Sequence, residues 1–240
     1  MKTTLAIILI VAAIAIVAVY AANKQPQQTI TEISVLGDIT EKYFYKPKPE
    51  ELLPVFGLDK DKWNGAKFRN SNISDVDFNQ VMLVTLEPAN KWLSNEFERD
   101  EAINHFNLEV EKNIAQTNED TLGREHTSAY LPIARELNRL SQSKSNRKIL
   151  IVYSDLMEHE NALSFYRQSK LDSLQKYPGV LFENFEKQIT LNDLNGIEVF
   201  LVYQPVNITD SERFRMVSGF YKNLLESKGA TITIGANLVL

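Results

Sequence analysis

Residues 149–155 read ILIVYSD, five consecutive apolar residues that end abruptly on Ser154 and Asp155. The polar break SQSKSNRK over residues 141–148 precedes them. A short apolar run with such a boundary suits a strand buried on both faces, the form that strands take in parallel sheets. Its last residue then delivers Ser154 and Asp155 to the strand's carboxyl end. Just upstream, residues 127–140 (TSAYLPIARELNRL) place Tyr130, Ile133, Ala134, Leu137 and Leu140 on one helical face. Pro132 stands near enough to the start to be tolerated, and Thr127 or Ser128 is the expected cap.

Downstream the pattern repeats. Residues 197–203 (IEVFLVY) form a further expected strand, and residues 209–212 (TDSE) give a capping box for a helix with Phe214, Val217, Tyr221 and Leu224 inward. Gly229 closes that helix, and residues 230–234 supply a last strand. Towards the amino end, residues 29–37 (TITEISVLG) alternate with β-branched residues, then turn apolar before Asp38. Residues 66–73 and 80–86 read as two strands joined through an Asp/Asn-rich connection, and residues 96–116 as a charged helix. The expected fold class is therefore α/β: a doubly wound, mostly parallel sheet with helices on both faces.

Residues 4–22 (TLAIILIVAAIAIVAVYAA) hold no charge. At about 1.5 Å rise per residue they span roughly the 30 Å hydrocarbon core of a bilayer. The expectation is one N-terminal transmembrane helix, a signal-anchor that leaves the soluble domain extracytoplasmic. The alternative is a secretory signal cleaved to release the chain. Residues 23–29 (NKQPQQT) read as a tether, which makes the expected organisation an anchor over 1–22, a tether over 23–29 and an α/β domain over 30–240.

The chain carries a net charge of −5, which disfavours general binding to nucleic acid. It holds no cysteine, so disulfides, thiolate nucleophiles and cysteine-based zinc sites are excluded. Phosphate-cradling and dinucleotide-binding glycine loops are missing as well. What the pattern does offer is oxygen: Asp38 and Asp155 at strand ends, with Thr40, Thr127, Ser128 and Ser154 nearby in the expected topology. Ligands of doubly wound sheets bind beyond the carboxyl ends of the strands. Oxygen donors favour magnesium, calcium or manganese over zinc.

In these features the sequence resembles the von Willebrand factor A-like domains, whose adhesion site follows an Asp-x-Ser-x-Ser motif, a loop threonine and a later aspartate. Asp38 and, by hydroxyl substitution, Thr40 match the first motif. Thr127 resembles the loop threonine, and Asp155 matches the closing aspartate. The resemblance implies a metal site of Asp38, Thr40, Thr127 and Asp155 holding Mg2+, or Ca2+ or Mn2+, and a protein partner, which the anchor and its short tether would place at or beside the membrane. Lys42 departs from the pattern, because a charged ammonium has no lone pair for a cation and repels it. A decayed site on a structural subunit of an envelope complex is the alternative that this departure keeps open. A haloacid-dehalogenase-like phosphatase is a third reading, with Asp38 as nucleophile and Ser154 on phosphate, but Thr40 stands where the general acid is needed.

Overall fold

A computed structural model of the chain describes residues 28–38, 46–73, 81–119, 128–158 and 164–238. Six strands make one sheet: β1 (Ile30–Asp38), β2 (Gly65–Ile73), β3 (Val81–Leu86), β4 (Arg147–Tyr153), β5 (Ile197–Val202) and β6 (Thr231–Gly235). Their order is β3-β2-β1-β4-β5-β6. β3 runs antiparallel to β2 at one edge, and every other neighbouring pair is parallel. The expected mixed α/β class with a mostly parallel sheet is what the chain adopts.

Helices α1 (Pro49–Leu52) and α2 (Glu96–Glu119) lie on one face, with a 3-10 turn over Leu53–Phe56. Helices α3 (Tyr130–Ser141), α4 (Gln168–Lys176), α5 (Pro178–Gln188) and α6 (Ile208–Glu226) lie on the other. The central strands feed both layers by simple alternation. Ile149, Ile151 and Tyr153 of β4 join Phe56, Phe106 and Val110 in one core, while Leu150 and Val152 join Ile133, Leu137, Phe185 and Tyr221 in the other. Residues buried on both sides explain why β4 reads as an unbroken apolar run.

At two helix starts the described residues differ from the expected caps Ser128 and Thr209, and the alternative Thr127 lies outside them. Helix α3 begins after Ala129 with no side-chain cap of its own, and the Tyr130 amide is met by Glu158 instead. Helix α6 is capped by Asn207, whose Oδ1 accepts the Asp210 N–H at 2.9 Å, rather than by Thr209. The Asp210 carboxylate reaches back to the Val206 N–H at 2.8 Å, so the box is reciprocal but shifted towards the amino end.

Under α3 lies a polar cluster that the periodicity did not announce. Glu32 and Ser34 alternate onto the α3 face of β1, where Arg139 donates to Glu32 at 2.6 Å, to Ser34 at 2.9 Å and to Glu136 at 2.9 Å. Arg69 reaches the second oxygen of Glu136 at 3.1 Å. Ser143 and Ser145 donate to Glu32. Burial alone would raise the Glu32 pKa, but the hydrogen bonds from Ser143, Ser145 and Arg139 outweigh it and hold the carboxyl below its ordinary value.

Among the described residues no helix is long and apolar enough to cross a membrane. The expected span at residues 4–22 lies outside them.

Candidate functional site

Strand order reverses between β1 and β4, which makes their carboxyl ends the topological switch point, where ligands of open α/β sheets bind. The pairing of Gly37 with Tyr153 sets the next residues, Asp38 and Ser154, side by side. Ser154 Oγ donates to Asp38 Oδ2 at 2.8 Å and accepts the Leu156 N–H at 2.9 Å, so one hydroxyl couples the two strand ends. Asp38 is buried, only 1% exposed.

The chain leaves β4 through a tight turn. Asp155 Oδ1 accepts the Met157 N–H at 2.9 Å, and its other oxygen accepts from the Tyr166 hydroxyl at 3.3 Å. Leu156 sits between at φ 62°, the one non-glycine residue with positive φ among the described residues. A leucine in the left-handed region is strained, and such strain gathers at functional sites. Its side chain is fully buried, and that packing holds the conformation in place.

Glu158 completes the buried acidic group. Its Oε1 accepts the Tyr130 N–H at 2.6 Å and the Tyr221 hydroxyl at 2.9 Å. It therefore places negative charge at the amino end of α3, where the helix dipole favours it. Burial first, and then the Glu158 charge and hydrogen bond, push the Tyr221 phenol well above its ordinary pKa, so the ring stays a neutral donor. His159, next in the chain, lies outside the described residues.

The structure thus brings Asp38, Ser154 and Asp155 to one sheet edge and adds Glu158, with Asp155 and Glu158 4% and 3% exposed. Thr40, Lys42 and Thr127 lie outside the described residues. Ser128 is buried but does not cap α3. His105 is on the exposed side of α2, away from this edge. Among the described residues no three His, Cys, Asp or Glu side chains gather as a metal cluster. Asp38 and Asp155 offer carboxylate oxygen, a donor type that suits a hard divalent cation. A groove between β3 and α2, lined by Leu83, Thr85, Glu87, His105 and Glu109, touches none of these residues.

No protein-family model matches the chain, and no curated protein matches its sequence.

Proposed function

We propose that the chain is a membrane-anchored binding module of the von Willebrand factor A-like kind, which engages a protein partner through the switch point between β1 and β4. The observation that carries this reading is the coupling of Asp38 to Ser154, with Asp155 next in sequence, at the place where doubly wound sheets take ligands. A single antiparallel edge strand on an otherwise parallel sheet is compatible with it. In this reading Asp38 and Asp155 hold a divalent ion, Mg2+ with Ca2+ or Mn2+ as the other hard cations, and Thr40 and Thr127 supply hydroxyl oxygens. The ion would accept a carboxylate oxygen from the partner. The anchor over residues 4–22 keeps the module at its own membrane, on the extracytoplasmic side.

A second reading is favoured by a specific observation. Asp38, Asp155 and Glu158 each accept hydrogen bonds from within the domain, as carboxylates with a purely structural role would. Together with Lys42, this supports a structural subunit of an envelope complex whose metal site has decayed. Crosslinking and affinity purification of the full-length chain, with and without a divalent chelator, separates the two. The binding-module reading expects partners that vanish with chelation and with Asp38→Ala. Partners that persist in both conditions would replace it with the scaffold.

A further inference from the structure

The end of the sheet opposite the candidate site carries a different surface, whose use depends on the reading of residues 4–22 as a membrane anchor. The described chain begins there. Gln28 Nε2 donates to the Ala89 carbonyl at 2.6 Å, the Thr29 N–H donates to Asn64 Oδ1 at 2.9 Å, and the Gly65 N–H donates to the Thr29 carbonyl at 2.8 Å. Because β3 is antiparallel, Leu86 pairs with Ala66, so the connection from β3 to α2 emerges at this same end.

That connection and the first turn of α2 display Trp92, Leu93 and Phe97 at 77%, 86% and 75% exposure. Three large apolar side chains exposed within six positions are a local concentration, unlike the single scattered apolar residues of an ordinary water-facing surface. They are held firmly. Asn90 Oδ1 accepts the Trp92 N–H and Asn95 Oδ1 accepts the Phe97 N–H, each at 2.9 Å. The buried Arg99 guanidinium donates to the carbonyls of Lys62, Asn64 and Glu87, and so ties this turn to the start of β2.

We propose that this end of the domain rests on the bilayer, with Trp92, Leu93 and Phe97 seated at the boundary between headgroups and acyl chains. Distance supports a lipid surface over other occupants. Six residue steps separate Ala22 from Gln28, a reach of at most about 22 Å, and Trp92 lies three steps from Ala89, within about 11 Å of it. An anchor over residues 4–22 therefore keeps the membrane within about 22 Å of the end of the domain that carries the patch. Its composition also fits, since tryptophan and other aromatic rings favour that boundary. The neighbouring Lys62 is paired with Glu96 and Asp100, and Glu98 follows Phe97 in the chain, so the contact is apolar rather than a basic attraction to anionic lipid. The eight residue steps of β1 then hold Asp38 about 26 Å farther from the membrane, facing outward.

The chain has no cysteine, so Leu93→Cys can carry a single environment-sensitive fluorophore at an exposed position. Val206→Cys, 66% exposed beyond β5, provides the matching label at the opposite end. Full-length chain is reconstituted into phosphatidylcholine vesicles, floated through a density gradient and probed with brominated lipid. The proposal expects flotation throughout, with quenching at position 93 but not at 206; that quenching is insensitive to salt and is lost, while flotation persists, when Trp92→Ser and Phe97→Ser are added. Unsubstituted chain, in which Trp92 and Trp63 report directly, gives the same result without a label. Flotation with equal, weak quenching at both positions would overturn the membrane contact and leave the anchor standing. Failure to float would overturn the anchor and the contact together.

Discussion

Replacing Arg139 by methionine removes the one guanidinium that joins Glu32, Ser34 and Glu136, while keeping most of the side chain's apolar length. Glu32 is 2% exposed and Glu136 is 6% exposed, so both carboxylates stay in a low-dielectric setting after the cation has gone. Breaking a buried ion pair by deleting one partner costs about 3–5 kcal/mol. Arg69 still holds Glu136, and Ser143 and Ser145 still hold Glu32, which places the loss at the lower end, about 3 kcal/mol. For a domain of this size that corresponds to a drop in Tm of about 6–12 °C. The assay is thermal and urea unfolding of the full-length chain by circular dichroism. Its pH dependence carries a sign. The folded pKa of Glu32 lies below its ordinary value, so its contribution is present above the unfolded glutamate pKa and is lost as pH falls through the folded one. The gap between wild type and Arg139→Met therefore narrows below about pH 4.3. A variant within about 1 kcal/mol of wild type at neutral pH, or a gap that ignores acid, would refute the reasoning.

Other substitutions test single contacts. Tyr221→Phe removes a hydroxyl that donates to the buried Glu158 at 2.9 Å, and urea unfolding should show a loss of about 1.5–3 kcal/mol, with no loss expected if Glu158 were solvated. Gly229→Ala puts a Cβ 2.5 Å from Asn195 Oδ1 at a residue with φ 96°; the left-handed backbone alone costs about 1–2 kcal/mol, so the melt should shift down by several degrees, and an unchanged Tm would contradict the turn geometry.

Strands were legible in the sequence wherever burial is two-sided. The run ILIVYSD became β4 because both of its faces meet helices, and Asp38, Ser154 and Asp155 fell at strand ends because apolar runs stop there. Helix α3 was legible from its face of Tyr130, Ile133, Ala134, Leu137 and Leu140, all of them buried. The buried Glu136 on the same helix was not, since its partners Ser34 and Arg69 lie 102 and 67 residues away in the chain. Glu32 and Ser34 stand in the alternating part of residues 29–37, and nothing in that alternation marks them as buried. Helices α4 and α5 went unassigned because Pro178 and the polar stretch QSKLDSLQK interrupt a shared spacing of Leu171, Leu174, Leu181 and Phe185. At α3 the described residues show no cap from Ser128, and the Tyr130 N–H is met by a carboxylate from Glu158, 28 residues later. Local pattern reveals which element forms; it carries no record of which distant charge completes it.

The most direct test of the switch-point site is isothermal titration of magnesium, and then manganese, into the full-length chain in detergent micelles, beside Asp38→Ala and Asp155→Ala. The binding-module account predicts saturable binding to the wild type that both substitutions abolish. No binding to the wild type, or the same binding in all three chains, would contradict it and leave the cluster of Asp38, Ser154 and Asp155 as a structural knot at the sheet edge.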